Sequence, residues 1–147
     1  SNLECPYVKR HYGSNNMQTT QKFAKSKNVI WITVISSAEG KQGYIQPNDA
    51  LNTFASFGSF PDHILIDENG DLGKKFNAKT TPHIFIADKN KNIVYQGAID
   101  DAGGSRFWTT DLNQSTNFVK KVINDIKSNK PLSVSKTRPY GCSVKYG

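Results

Sequence analysis

The chain is poor in the residues that staple or metallate small proteins. It has two cysteines, three histidines and one methionine in 147 residues. Two cysteines do not make a disulfide scaffold, so Cys5 and Cys142 are a free pair, a redox pair, or one of each. His11, His63 and His83 fall into no H-x-x-x-H or E-x-x-H spacing, and neither cysteine sits in a C-x-x-C arrangement, so no metal site is expected. Asp67, Asn69 and Asp71 begin like a calcium loop. Leu72 then stands where glycine is required and Ala78 where the closing glutamate belongs, which excludes that reading. No cofactor is expected.

Long apolar runs are also missing. None approaches the roughly 20 residues that span a bilayer, and no secretory leader is visible from Ser1 onward. No repeat or low-complexity tract interrupts the chain. The length suits one domain over residues 1–147, large enough to bury a core without staples. Apolar residues make up only 36%, but 8 Phe, 6 Tyr and 2 Trp supply large buried surfaces.

Positive charge is plentiful, at a net +7, and it sits at the ends. Residues 1–28 carry five Lys or Arg against Glu4 alone, and residues 120–147 carry seven against Asp125 alone. The basic ends flank both cysteines. They read either as a solvated surface or as a positive field around a thiolate. No groove-fitting basic element or aromatic stacking platform is evident, so nucleic acid is not an expected partner.

Periodicity outlines an α/β order. Helical signals follow Cys5, break near Gly13 and run on from Asn16 to about Lys25. Val29–Ile35 is an unbroken β-branched and aromatic run, suited to a strand buried on both faces. Ser36–Tyr44 reads as a loop. Pro47 opens a short helix with Ala50, Leu51 and Phe54 at helical spacing, and Gly58 stops it. His63–Asp67 reads as a strand closed by a turn over residues 68–71. His83–Ala87 and Ile93–Ala98 read as a hairpin. A last helix, roughly Asn113–Ser128, places Val119, Val122, Ile123 and Ile126 on one stripe. Residues 129–147 read as an irregular tail. The sum is a mixed central sheet with helices on both faces.

Chemistry is concentrated at Cys5. A thiol just before proline at a helix start meets free backbone N–H groups and the positive end of the dipole, and both favour thiolate. Pro6 is tolerated there because no intrahelical N–H bond is lost. Lys9 and Arg10 oppose the dipole in that first turn, a cost that an anion would offset. Val8 occupies the second position of the C-x-x-C frame, so no disulfide can close within the motif. The competing reading makes Cys5 a small apolar core residue. Thr81-Pro82 ahead of a strand suggests either a cis bond or a strand start that needs no N–H.

Four stretches together resemble bacterial redoxin-domain proteins: CPYVKRHYGSNNMQ from Cys5, VIWITVISSAEGKQGY from Val29, TTPHIFIADKNKNIVYQGAIDD from Thr80 and TRPYGCSVKY from Thr137. Those proteins are thioredoxin-like members of the alkyl hydroperoxide reductase/thiol-specific antioxidant superfamily. The resemblance implies a thioredoxin-like fold with Cys5 as reactive thiol, Pro82 as the cis-proline facing it, and Cys142 in the family's tail. Pro6, Tyr7, Lys9 and Thr81 would shape the site. Peroxiredoxins typically place Thr three residues before the reactive cysteine, where this chain has Asn2. The family also has a central strand directly before that cysteine. The chain as read is therefore expected to be N-terminally truncated relative to that fold, with an open slot whose edges invite a second copy to pair. Related redoxins are often exported, which implies a bacterial periplasm, with the cytoplasm as the alternative.

Two functions follow as expectations. One is a thiol oxidoreductase or thiol peroxidase acting on a protein disulfide or peroxide, with Cys142 resolving and an external thiol as reductant. The other is a non-catalytic peptide-binding module using the cis-proline groove.

Overall fold

Helix α1 spans Pro6–Gly13 and α2 spans Asn16–Ser26 in a computed structural model that describes all 147 residues. The break between them falls where the sequence places it. Asn15 makes it by adopting a left-handed φ of 65°, which asparagine tolerates better than most residues. Strand β1, Ile32–Ile35, follows, then a 3-10 turn over Pro47–Asp49 leads into α3, Ala50–Ser56. Strand β2 is His63–Ile66, α4 is Asp71–Lys75 and β3 is Thr80–Thr81. The hairpin of β4, Ile84–Ala87, and β5, Ile93–Gly97, comes next, followed by α5, Phe118–Lys127, and β6, Cys142–Ser143.

The fold is a mixed α/β arrangement, but its sheet is divided. β1 pairs in parallel with β2, from Ile32 opposite His63 to Ile35 opposite Ile66. β4 pairs antiparallel with β5, and β3 with β6. No hydrogen-bonded ladder joins these pairs. Instead β1 and β4 line one apolar groove of about 510 Å³, with Thr33, Val34, Leu72, Ile84, Phe85 and Val144 among its lining residues. The strands of the expected mixed sheet thus stand as separate pairs, with unpaired edges along β1 and β4.

The core holds the remaining parts together. Val8 and Tyr12 of α1, Met17 and Ala24 of α2, Phe54 of α3, and Val119, Val122 and Ile123 of α5 meet Ile35, Ile86 and Tyr95 of the strands. Burying a side chain of this size contributes roughly 1.5–3 kcal/mol, so the helical stripes hold the divided strands in place. Asn117 caps α5 by accepting the Lys120 N–H at 3.0 Å.

Several expectations need correction. Only Ile32–Ile35 of the predicted Val29–Ile35 strand joins a ladder. Ile30 and Ile32 are 68% and 51% exposed rather than buried on both faces, because β1 has a neighbour on one side only. Leu51 is exposed, while Ala50 and Phe54 carry the buried face of α3. The last helix begins at Phe118, with residues near Asn113 in a separate 3-10 turn. The predicted turn after β2 runs into α4, because the Asp67 carboxylate accepts the N–H groups of Leu72 and Gly73 and the Ser36 hydroxyl. That same carboxylate explains the false start of a calcium loop.

The tail is not irregular throughout. Cys142 pairs with Thr81, and Lys136 bridges to Gln96. Gly141 permits this approach: its φ is +144°, and a Cβ there would run into the Thr81 carbonyl oxygen. The substitution Gly141→Ala is expected to cost about 1–3 kcal/mol of stability, read as a lower denaturant midpoint. An unchanged midpoint would mean that the tail does not pack this closely in solution.

Candidate functional site

A tight turn delivers Cys5 to the start of α1. The Cys5 N–H donates to the Asn2 carbonyl at 3.1 Å, and the Glu4 N–H donates to Asn2 Oδ1 at 2.9 Å. The Asn2 amide donates on to the Gln42 carbonyl, and the Glu4 carboxylate accepts the Gly43 N–H. Asn2 therefore braces this turn against the loop after β1. Cys5 is the N-cap in an extended conformation, and Pro6 opens the helix.

Three elements converge on the sulfur. The Cys5 thiol donates to the Thr81 carbonyl at 3.4 Å. The Thr81–Pro82 bond is cis, as the sequence suggested. Thr81 stands opposite Cys142 in the β3–β6 pair, so Cys142, 137 residues away in sequence, lies against Cys5. Cys5 has no exposed surface, whereas Cys142 is half-buried.

The two thiols are electrostatically unequal. Burial pushes the Cys5 thiol up, but hydrogen bonding outweighs it and holds the thiol below its ordinary value. The donors are the Cys142 thiol, the Thr81 hydroxyl and the N–H groups of Val8 and Cys142. Burial and the adjacent Cys5 push Cys142 up to about 11. The Thr81 hydroxyl is buried with no hydrogen-bond partner, so the Cys5 sulfur, once ionised, is the acceptor open to it. By this geometry Cys5 is the more readily ionised thiol of the pair, and Cys142 supplies part of the stabilisation.

The cations contribute differently from the sequence expectation. The Arg10 guanidinium is engaged elsewhere: it donates to the Phe107 and Thr110 carbonyls at 3.1 and 2.8 Å and lies over the Phe107 ring. Lys9 is exposed on the helix surface. The leading groups that stabilise the Cys5 thiolate are hydrogen-bond donors rather than these two charges. Pro6 is exposed and Tyr7 half-buried beside the thiols. The Tyr7 ring meets Phe107 at 4.9 Å and Trp108 at 5.1 Å, and Trp108 is half-exposed, so an aromatic rim borders the site. From the other side, the apolar groove reaches Thr81 and Pro82.

Next to this rim lies a buried polar cluster that the sequence did not reveal. His11, Asn16 and Asp100 are fully buried, and Tyr140 joins them from the tail. His11, Asn16, Asp100 and Tyr140 all fall within the stretches that carry the family resemblance, but nothing in them marks the four as partners. No local pattern links His11 to Asp100, 89 positions away. The chain has no group of three or more His, Cys, Asp or Glu placed to hold a metal ion. No helix is long and apolar enough to cross a membrane.

No protein-family model matches this chain, and no curated protein matches it. Solved structures that resemble it include the following two. A hypothetical protein from Sinorhizobium meliloti 1021 superposes with a TM-score of 0.78 at 18% identity, covering 99% of this chain and 76% of that one. An uncharacterized conserved protein from Geobacillus kaustophilus does so with a TM-score of 0.80 at 21% identity, covering 97% and 72%. At these identities the likeness defines the fold alone, a mixed α/β domain.

His11 gives a test of the buried cluster. Burial, with Arg10 nearby, depresses its pKa to about 4 from the ordinary 6.5. The unfolded chain therefore takes up a proton first as the pH falls. Stability held above about pH 6.5 is lost down to about pH 4, by about 3 kcal/mol. His83, also depressed to about 4, acts in the same direction, so the comparison must be between variants. Denaturant midpoints of His11→Gln should fall less steeply than wild type over this window. Parallel curves would mean that His11 is not buried neutral.

Proposed function

We propose that the chain is a thioredoxin-like thiol oxidoreductase in which Cys5 is the nucleophile and Cys142 the resolving thiol. The observation that carries this reading is the contact between two free cysteines of opposite electrostatic bias, assembled by α1, β3 and β6 beside cis-Pro82. A purely structural cysteine has no need of this assembly.

The reaction follows from the bias. The Cys5 thiolate attacks one sulfur of a protein disulfide, forms a mixed disulfide and expels the other sulfur as thiolate. Cys142 gives up its proton and attacks Cys5, releasing the second substrate thiolate and leaving a Cys5–Cys142 disulfide. With a peroxide, the Cys5 thiolate takes one oxygen to become a sulfenic acid while the O–O bond breaks and the alcohol or water leaves. Cys142 then displaces water from the sulfenic acid to give the same disulfide. Two equivalents of external thiol restore both cysteines. Cys5 deprotonates before Cys142, so the order of attack is set by hydrogen bonding at the site.

Asn2, where a peroxiredoxin typically has Thr, is committed to bracing the Cys5 turn. This favours the disulfide branch over the peroxide branch. The buried state of Cys5 favours a second reading, a peptide-binding module in which Cys5 only packs.

Alkylation of Cys5 against pH separates the two. The midpoint is expected below the free-thiol value of about 8.5, and Cys142→Ala should raise it by removing one donor. Treatment with a disulfide or peroxide should give a Cys5–Cys142 bridge in peptide maps. An ordinary midpoint with no bridge would support the packing reading. A second copy is the partner proposed for the free edges of β1 and β4. Sedimentation equilibrium should then detect a concentration-dependent dimer, and a monomer throughout would contradict that pairing.

A further inference from the structure

We propose that His11, Asn16, Asp100 and Tyr140 form a buried latch that holds the tail, and with it Cys142, over Cys5. This makes them positioning residues for the thiol pair, and it rests on the oxidoreductase reading above.

The latch is needed because the contact it secures is slight. β6 is two residues long and pairs with a strand of two residues. Such a short ladder is marginal by itself. Tyr140 lies two positions before Cys142, separated from it by Gly141, and is the anchor nearest the thiol. Its ring sits among Tyr7, Phe107 and His11, with centroids 6.1, 5.2 and 6.0 Å away. It lies against Gly103, where a Cβ would approach the ring to 2.6 Å.

The hydroxyl of Tyr140 enters a pocket whose protons can be counted. The Asn16 amide nitrogen, which can only donate, reaches His11 Nδ1 at 3.0 Å and Asp100 Oδ2 at 3.2 Å. His11 Nδ1 must therefore accept, which leaves the ring proton on Nε2. That nitrogen lies 3.3 Å from the Tyr140 oxygen. Tyr140 then accepts from His11 and donates to Asp100 Oδ1, which also takes the Ala102 N–H at 3.1 Å. Every buried polar atom of the four side chains that faces the cluster has a partner. The chain of bonds ties α1, α2 and the segment after β5 to the tail. Removing one member leaves the others unsatisfied away from water, and that cost is what keeps the tail closed.

None of the four hydrogen-bonds to either sulfur. They act through the backbone of Tyr140–Gly141–Cys142. While the latch is closed, Cys142 stabilises the Cys5 thiolate and also covers it. When it opens, Cys5 loses the Cys142 thiol and N–H and gains access to solvent. A role limited to stability would move neither property of the folded protein.

Tyr140→Phe removes the hydroxyl and keeps the ring. In folded protein of this variant, three changes are expected. The pH midpoint of Cys5 thiolate absorbance rises by about one unit toward the free value. The Cys5–Cys142 bridge forms about tenfold more slowly after hydrogen peroxide treatment. At a pH above both midpoints, a bulky maleimide modifies Cys5 faster than in wild type. Asp100→Asn keeps an acceptor for Tyr140 but opposes two amide donors at Asn16, and should shift all three readouts in the same direction by less. It also decides the matter if Tyr140→Phe does not fold. Folded variants that match wild type in all three readouts would overturn the latch. If wild type itself has an ordinary Cys5 midpoint and forms no bridge, the oxidoreductase reading fails, and the maleimide rates still test whether the tail is latched.

Discussion

The two-residue pairing of Thr81 with Cys142 is the contact on which the site depends. It seats the tail beside β3, and β3 carries the carbonyl and hydroxyl that face Cys5. Without it Cys5 would retain the Val8 N–H at its helix start and the Thr81 hydroxyl but lose the Cys142 thiol and N–H. With fewer donors its thiol would move up toward its ordinary value. The depressed pKa of Cys5 is thus a long-range property, made by residues near both ends of the chain. It is not simply a gift of the Cys-Pro motif.

This dependence explains why so much polar structure lies under the tail. A pairing this short cannot hold a segment by backbone bonds alone. Gly141 allows the close approach, Tyr140 fills the aromatic gap beside Tyr7 and Phe107, and the cluster around Asp100 fixes its hydroxyl. A buried carboxyl and a buried imidazole are costly unless paired. Here they are paired with each other's neighbours in a closed count of donors and acceptors. The apolar groove between β1 and β4 contrasts with this region. Its strand edges are unpaired and its walls are apolar, so the divided sheet relies on helix packing for its geometry.

The parts legible in the sequence are those with local causes. The Cys-Pro helix start, the break before Asn16, the hairpin of β4 and β5 and the stripe of α5 each follow from a few neighbouring residues. Thr81-Pro82 was readable as a cis candidate for the same reason. What was not legible depends on distant partners. α4 needs the Asp67 carboxylate and β6 needs β3. The His11 cluster gathers residues from four segments with no shared periodicity. Lys9 and Arg10 misled because closeness in sequence was read as closeness to the sulfur, whereas Arg10 turns to the loop at Phe107. Ile30 and Ile32 misled because a two-sided apolar run implied neighbours on both sides.

The central claim is that Cys5 and Cys142 act as one redox couple. Equilibrating the intact chain in glutathione buffers of graded ratio, then trapping with acid and mapping the cysteine peptides by mass, tests this directly. The account predicts a single two-electron transition in which the Cys5 and Cys142 peptides become joined together. Two thiols that stay free, or that each carry only glutathione across the whole range, would contradict it.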